Sequence, residues 1–228
     1  MARIGIYGGS FNPVHNGHLR VAKSAIGQLE LDRLYVIPAA VSPFKTEDAP
    51  DGRFDRLLLV RLAFNGIAKV VVDDRELKRG GVSYAIDTVR EIAAENPGAE
   101  LFFIIGEDSV EGLPRWKEWE TLKGLCEFKV FERTPESSTE IRRRLAAGET
   151  IADVTPLAVA KFIEKAVVYN PDGRVAETVL KGLERKEGFC PCRLPKLKEF
   201  FCPCEEFMAQ LDDPDFHGLC HCRLYLKP

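Results

Sequence analysis

Residues 1–169 alternate between short apolar runs and longer stretches with apolar residues at helical spacing. Runs such as "RIGIYGG", "RLYVIPAA", "KVVVDD", "ELFFIIGED" and "EFKVFER" are typical of buried strands, and "GHLRVAKSAIGQL" is typical of an amphipathic helix. Strands separated by helices form a parallel sheet with right-handed crossovers. We therefore expect an α/β fold with a doubly wound, mostly parallel five-stranded sheet that binds ligands at the carboxyl ends of its strands.

The stretch "NPDGRVAET" at residues 170–178 interrupts two helical patterns with Pro and Gly, and it predicts a domain boundary. Residues 170–228 would then form a small, mainly helical second domain. Six of the seven cysteines lie there, as Cys-Pro-Cys, Cys-Pro-Cys and Cys-His-Cys. We call residues 189–222 the cysteine segment.

Composition narrows the possible partners. The net charge of −3 gives no electrostatic reason to expect a nucleic-acid partner. No apolar run is long enough to span a bilayer, and the start of the chain does not read as a secretory signal. The sequence therefore predicts a cytoplasmic protein without a membrane partner, in which stable structural disulfides are not expected.

The stretch "GGSFNPVHNGHL" follows the first predicted strand and opens the first predicted helix. Gly8 and Gly9 allow a ligand close to the backbone, and a helix N-terminus offers free N–H groups with positive dipole character. His15 and His18 are three residues apart, so at a helix start both can reach one phosphate. The alternative is a surface histidine pair beside a glycine turn.

This stretch resembles the GxFxPxHxGH signature of Rossmann-like nucleotidyltransferases. Further stretches resemble the bacterial nicotinate mononucleotide adenylyltransferases: "SPFK", "ELKRGGVSYAIDT", "IIGEDSVEGLPRWKEW" and "SSTEIRRRL". The resemblance covers residues 1–169. It implies transfer of AMP from ATP, with Mg²⁺, to nicotinate mononucleotide, giving deamido-NAD and pyrophosphate in NAD biosynthesis, and it is compatible with a homo-oligomer.

The resemblance also implies roles for individual residues. His15 and His18 would be catalytic, donating hydrogen bonds to phosphate oxygens as charge moves onto pyrophosphate. The residues expected to bind ATP and its phosphates are Gly8, Gly9, Ser10, Phe11, Lys45, Ser137, Ser138, Thr139 and Arg142. The residues expected to bind the nicotinate nucleotide are Tyr84, Asp87, Thr88, Asp108 and Trp116. Five of these side chains could instead be ordinary packing residues or solvated charges: Lys45, Tyr84, Asp87, Trp116 and Arg142.

One departure from the family lies before Ser137. The relatives have a few dozen residues between the fifth strand and the Ser-Ser-Thr loop, whereas this chain runs from "VFER" through Thr134, Pro135 and Glu136 directly into it. An alternative is therefore a nucleotide-binding domain with reduced or no transferase activity, carrying a structural zinc-type or redox-sensing cysteine module.

The three Cys-x-Cys pairs are unlike zinc knuckles, in which two to four residues separate the thiols. A single intervening residue makes it hard for both thiolates to reach one metal ion, so each pair favours two different tasks for its sulfurs. A structural zinc site remains the alternative. Cys126 stands alone and is expected to be a small buried hydrophobe.

In their order the pairs resemble the catalytic subunit of ferredoxin:thioredoxin reductases, over residues 170–228, although the first gap between pairs is shorter and the second longer than in the plant pattern. The resemblance implies a [4Fe–4S] cluster on Cys190, Cys202, Cys204 and Cys220. It further implies a redox-active disulfide between Cys192 and Cys222 that acts by thiol–disulfide exchange, and proton transfer by His221. The partners expected from that family are ferredoxin and a thioredoxin-like protein. The separate second subunit of the plant enzymes is not part of this chain.

Overall fold

The computed structural model describes residues 1–44, 56–132 and 134–228. These divide into two compact units, Met1–Thr155 and Pro156–Pro228. The boundary expected from the sequence, after residue 169, differs from this division by one helix and one short strand. Lys45, which the sequence predicts to bind phosphate, lies outside the described residues.

Within the described part of the first unit, parallel strands form a five-stranded sheet in the order β3-β2-β1-β4-β5. Their bounds are β1 Arg3–Gly9, β2 Arg33–Pro38, β3 Val70–Val72, β4 Glu100–Gly106 and β5 Glu127–Phe131. The register pairs Ile6 with Tyr35 on one side of β1 and with Phe103 on the other. The prediction of a five-stranded parallel sheet is confirmed.

Helices connect these strands, as the alternating pattern predicts. In the first unit they are α1 Asn16–Gln28, α2 Arg56–Phe64, α3 Arg75–Arg79, α4 Ala85–Glu95, α5 Trp119–Leu125 and α6 Ser138–Ala146. A 3₁₀ segment, Glu107–Arg115, follows β4. The central strand β1 is buried from Ile4 to Tyr7, because helices cover both faces of a parallel sheet. Gly5 has no side chain where Leu31 and Leu34 approach, since a Cβ there would lie 2.6 Å and 2.7 Å from their Cδ1 atoms.

The second unit contains α7 Leu157–Glu164, α8 Gly173–Arg185, a 3₁₀ turn Lys198–Phe200 and α9 Glu205–Asp212. It also holds an antiparallel sheet in the order β6-β8-β7, formed by β6 Val168–Tyr169, β8 Tyr225–Lys227 and β7 Gly218–Leu219. This sheet was not predicted, because strands of two or three residues are too short to show an alternating pattern.

Aromatic packing explains why α7 belongs with the second unit. The ring of Phe162, fully buried in α7, lies 5.2 Å from the ring of Tyr225 and 6.0 Å from that of Phe207. The next strand, β6, pairs with β8. The helix α7, which the predicted boundary after residue 169 assigns to the first domain, therefore contributes to the core of the second unit. Among the helices of the described segments, none combines the length and apolar character needed to cross a bilayer.

Candidate active site

A pocket of about 530 Å³ opens at the carboxyl ends of β1, β2 and β4. Its walls come from the turn after β1, the start of α1, the start of α6 and the loop that precedes α6. The predicted phosphate-binding residues on these walls are Gly8, Gly9, Ser10, Phe11, Ser137, Ser138, Thr139 and Arg142, together with both histidines. The structure thus brings together the described members of the predicted phosphate site.

The two histidines are held by the start of α1. His15 is the N-cap residue, and its backbone N–H donates a hydrogen bond to His18 Nδ1 at 3.1 Å. Because Nδ1 of His18 accepts, the proton of a neutral His18 ring is on Nε2. The two ring centroids are 3.7 Å apart, and the buried ring of Phe11 lies 4.8 Å from that of His18. The helix start therefore fixes both the orientation and the tautomer of His18.

His15 is 7% exposed, and burial lowers its pKa to about 4, with nearby Glu136 opposing that shift. The ring is therefore neutral at pH 7. In the part of the chain that the structure describes, His15 Nδ1 and the neighbouring Asn12 Oδ1 are buried without a hydrogen-bond partner. Leaving a buried polar atom unpaired is costly, so both atoms are suited to a polar ligand in the pocket.

The start of α6 is tied to the turn after β1. The N-cap Ser137 Oγ accepts a hydrogen bond from the Glu140 N–H at 3.1 Å, as capping requires. Ser138 Oγ donates to the carbonyl of Pro13 at 2.9 Å, and Arg142 Nη1 donates to the carbonyl of Asn12 at 2.7 Å. Two helix N-termini, with their positive dipole ends, consequently border one pocket.

The short connection before α6 adds residues that the sequence reasoning did not assign to the site. Glu132, Thr134 and Glu136 line the pocket, and Glu136 forms an ion pair with Arg20 of α1. Thr134 fills the space above Gly17, since a Cβ on Gly17 would lie 1.9 Å from Thr134 Oγ1. The unusual shortness of the "VFERTPESS" stretch was the available signal.

A second pocket of about 650 Å³ adjoins the first. The residues that line both pockets are Tyr7, Gly8, Gly9, Ser10, Ala39, Ser42, Gly106 and Asp108. Trp116 and Tyr84 line only the second. Trp116 is held by edge contacts with Phe103 and Phe128, with ring centroids 5.6 Å and 5.9 Å away. Two pockets with a common wall can accept two ligands whose ends meet there.

Two of the residues predicted for the nicotinate nucleotide lie elsewhere. Asp87 forms an ion pair with Lys117 at 3.3 Å, and the Lys117 ammonium lies 4.5 Å from the centroid of the Tyr84 ring. The side chain of Thr88 is fully buried and donates to Glu76. Neither Asp87 nor Thr88 is among the residues that line the second pocket. Their roles toward a nucleotide stay predictions.

Arg56 was not predicted as a site residue. Its guanidinium donates to the carbonyls of Ser10 at 3.0 Å, Ala39 at 2.6 Å and Ala40 at 3.3 Å. It thereby joins the turn after β1 to the end of β2, which are two parts of the shared wall. An arginine at the first position of an apolar helix gives no indication in the sequence that it makes this contact.

In the second unit the thiols of the cysteine segment lie close together, and the described cysteines are in the reduced state rather than in disulfides. Cys222 donates to Cys190, and its Sγ lies 3.5 Å from that of Cys220. These hydrogen bonds lower the pKa of Cys190 and of Cys220 to about 6 and raise the pKa of Cys222. Cys192 is hydrogen-bonded to Cys190, so Cys190 contacts both members of the predicted disulfide.

The remaining thiols belong to the same group. Burial raises the pKa of Cys202 to about 12 and also raises the pKa of Cys204, and the nearby thiols of Cys190 and Cys220 add to both shifts. Thiols are the ligands that iron–sulfur clusters use, so the chemistry of this donor set suits such a cluster. The positions of the side chains do not, because among the described residues no three His, Cys, Asp or Glu side chains are placed to hold a metal ion. Cys126 is buried, as expected, and burial raises its pKa to about 12.

Comparison with known proteins bears on the first unit. The cytidylyltransferase-like family model matches residues 6–165, so the cysteine segment lies outside it. A probable nicotinate-nucleotide adenylyltransferase from Geobacter sp. (strain M21) is 43% identical over 158 residues, covering 69% of this chain and 68% of the relative. The corresponding protein from Albidiferax ferrireducens is 35% identical over 196 residues, covering 74% and 98%.

A solved structure supports the fold. The nicotinic acid mononucleotide adenylyltransferase of Plasmodium falciparum, complexed with NaAD, superposes with a TM-score of 0.57 at 18% identity, covering 72% of this chain and 96% of that one. The likeness to this structure concerns the fold alone. The family match over residues 6–165 and the identity to the relatives go further: this chain belongs to the nicotinate-nucleotide adenylyltransferase family of cytidylyltransferase-like proteins.

Proposed function

We propose that this protein transfers the adenylyl group of ATP to nicotinate mononucleotide, giving deamido-NAD and pyrophosphate. The observation that carries the proposal is the pair of pockets with a common wall at the carboxyl ends of the strands. One pocket has two helix N-termini and two histidines, which suit a triphosphate. The other has Trp116, which suits a flat aromatic ring. The inactive alternative is less well supported, because the described members of the phosphate site all line one pocket.

In the proposed reaction a 5′-phosphate oxygen of the mononucleotide attacks the α-phosphorus of ATP in line. A new P–O bond forms as the bond to the β-phosphate oxygen breaks, and the electron pair leaves with pyrophosphate. Such a step needs positioning and stabilisation of developing charge rather than covalent catalysis. ATP would enter as its magnesium complex, with the cation held by the triphosphate and water.

The histidines supply hydrogen bonds where the charge develops. His18 has its proton on Nε2, so a neutral ring can donate to a phosphate oxygen without a prior change of tautomer. His15 is neutral at pH 7, because burial lowers its pKa, and bound phosphate would raise that pKa again. Ser137, Thr139 and Arg142 at the start of α6 would hold the outer phosphates, as hydrogen-bond donors at a positive helix end.

The test is a product assay with purified full-length protein. ATP and nicotinate mononucleotide should yield deamido-NAD and pyrophosphate in equal amounts, identified by chromatography and by a coupled pyrophosphate assay. Nicotinamide mononucleotide is the matched alternative acceptor and should react more slowly. Nucleotide binding without product from either acceptor would leave only the alternative of a nucleotide-binding domain without transferase activity.

A second proposal concerns the cysteine segment, and the chemical nature of its donors, which are all thiols, favours it, whereas their arrangement does not. Cys190, Cys202, Cys204 and Cys220 would hold a [4Fe–4S] cluster, which when bound supplies one-electron chemistry. Cys190, Cys204 and Cys220 are buried, whereas Cys192 is exposed and could reach a disulfide in another protein. Cys192 and Cys222 would carry out thiol–disulfide exchange, with ferredoxin as the electron donor and a thioredoxin-like protein as the acceptor.

Metal analysis tests this second proposal without relying on activity. Protein purified anaerobically should contain iron and acid-labile sulfide in equal amounts. Cys192→Ser should keep the visible absorption of the cluster, and Cys190→Ser should lose it. Zinc without sulfide would contradict the cluster and support the structural zinc alternative.

A further inference from the structure

Glu76 of α3 is a buried carboxylate at the edge of the second pocket. It is 7% exposed and lines the pocket beside Ser83 and Tyr84. A carboxylate is rarely this buried without partners, because removing its charge from water is costly. The adenylyl-transfer chemistry described above makes no use of Glu76.

Two hydroxyl groups lie beside the carboxylate of Glu76. Thr88 Oγ1 donates a hydrogen bond to Glu76 Oε1 at 2.6 Å, and the Ser83 hydroxyl is near enough to help hold down the pKa of Glu76, which burial raises. Each hydroxyl also accepts a hydrogen bond, which leaves its own proton available to the carboxylate. Arg79 Nη2 donates to Thr88 Oγ1 at 2.8 Å, and the Ala40 N–H donates to Ser83 Oγ at 2.9 Å.

The chain that carries Ser83 has little else to hold it. Gly80 and Gly81 have left-handed backbones with φ of 70° and 66°, and a Cβ on either would meet no atom within 4 Å. The following residues are attached to the end of β2 by a bridge between Val41 and Val82 and by the Ser83 N–H, which donates to the Val41 carbonyl at 2.8 Å. Hydrogen bonds rather than packing therefore set the position of this loop.

Ser83 lies one residue before the N-cap of α4. Tyr84 is the N-cap residue of α4, and the hydroxyl of Ser83 connects Ala40 to Glu76. One side chain thus joins the end of β2, the loop before α4 and the buried carboxylate. On the other side of Glu76, Thr88 lies one turn into α4.

We infer that Glu76 is a positioning residue that fixes the Ser83–Tyr84 edge of the second pocket and thereby sets the affinity for nicotinate mononucleotide. This inference rests on the proposed function and names a residue that tunes the same site. Glu76 acts through Ser83 and Thr88 rather than by contact with the substrate. Because Glu76 lines only the second pocket, we expect ATP binding to depend on it less than binding of the mononucleotide.

The chemistry of the network requires a carboxylate. Both hydroxyl protons point toward position 76, and a carboxylate is acceptor-only, so both of its oxygens can accept. A glutamine of the same shape would present an NH₂ group to one of the two hydroxyls, and that hydroxyl would have to turn its proton away and give up donating to position 76. Burial raises the pKa of Glu76, and the two hydroxyls and nearby Arg79 oppose that rise.

The decisive experiment compares steady-state kinetics of full-length Glu76→Gln with those of the unmodified protein. We expect KM for nicotinate mononucleotide to rise about tenfold, because a buried hydrogen bond to a charged group is lost. KM for ATP and kcat should each stay within about twofold, since the ATP pocket and the histidines are unchanged. Glu91→Gln is the matched control, because Glu91 pairs with the same Arg79 but is exposed.

Ser83→Ala is a second variant that keeps the inference testable if Glu76→Gln does not fold. It removes one of the two hydroxyls and should raise the same KM by a smaller factor, about threefold. An unchanged KM for the mononucleotide in an active Glu76→Gln protein would overturn the inference, and so would an equal rise of both KM values. Inactivity of the unmodified protein and of Glu91→Gln would instead count against the proposed function.

Discussion

The two units of this chain carry their functional groups in different ways. In Met1–Thr155 the candidate site is largely backbone: strand ends, a glycine turn and two helix N-termini surround the pockets. In Pro156–Pro228 the candidate chemistry resides in side-chain thiols of a small unit with strands of two or three residues. The fold itself determines the shape of a site at the strand ends. The function of a group of thiols depends instead on the metal or partner that binds to it.

This difference explains why relatives identify one unit and not the other. The family model ends at residue 165, just beyond the first unit. In the first unit most of the pocket walls follow from the ends of the strands and the starts of the helices, which the fold places together. In the second unit the cysteine spacing alone carries the functional signal. If this difference holds, the chemistry of the first unit is independent of the second.

The largest effect is expected from His18→Ala. Loss of a hydrogen-bond donor that acts on developing charge should lower kcat about 10³-fold, with KM for ATP changed much less. Pyrophosphate release under saturating substrates measures this. His217→Ala, at an exposed histidine of the second unit, is the control and should be silent. Equal losses in both variants would mean that the two units share one activity.

A pH-dependent effect is expected from His15. Its pKa falls from about 6.5 to about 4 on burial, so the unfolded chain binds the proton more readily. The stabilising effect of the neutral ring is therefore complete above pH 6.5 and is lost as the pH falls toward 4. Over that range it amounts to at most about 3 kcal/mol in the free energy of unfolding.

Urea denaturation at pH 7 and at pH 4.5 measures this dependence. His15→Gln should be less sensitive to the change of pH than the unmodified protein, because glutamine does not titrate. The same pH sensitivity in both proteins would show that groups other than His15 determine how stability changes with pH, and it would contradict this prediction.

Gly17→Ala should have an intermediate effect. The new methyl group would lie 1.9 Å from Thr134 Oγ1 and 3.0 Å from His15 Nδ1, so the loop before α6 must move. We expect kcat/KM for ATP to fall about tenfold, which corresponds to overpacking by about 1 kcal/mol. Gly27→Ala is the matched control in the same helix, because a Cβ there meets no atom within 4 Å. That control should keep full activity and melt slightly higher.

The smallest effect is expected from the double substitution Cys192→Ser and Cys222→Ser. If the chemistry of the two units is independent, adenylyl transfer should stay within about twofold of the unmodified rate. Parallel assays with and without a thiol reductant extend the comparison to the redox state of the cysteine segment. A rate of adenylyl transfer that changes with the reductant would show that the two units are not independent.

Much of the first unit could be predicted because each element has a pattern of its own. "RIGIYGG" is apolar throughout and became a buried central strand, and Ser137 became the N-cap residue of α6 as its position before a helical pattern suggests. The phosphate site was predictable for the same reason, since its position follows from the end of β1 and the starts of two helices.

What could not be predicted depends on contacts between distant residues. Arg56 and Glu76 are charged residues whose importance arises from three carbonyls in one case and two hydroxyls in the other. The side chain of Thr88 is oriented by the hydrogen bond that it donates to Glu76, which lies twelve residues away in the sequence. In the second unit, β6, β7 and β8 form only because the chain returns on itself, and strands so short have no periodicity to read.

The wall shared by the two pockets bears on how the reaction would end. The dinucleotide product of the proposed reaction would occupy both pockets at once and would contact the common wall in the place of both substrates. Arg56 holds two parts of that wall together, so it does not need to be assembled for each ligand. Product dissociation is therefore expected to be slow relative to pyrophosphate release. The concentration of deamido-NAD would then regulate flux by inhibition competitive with both substrates.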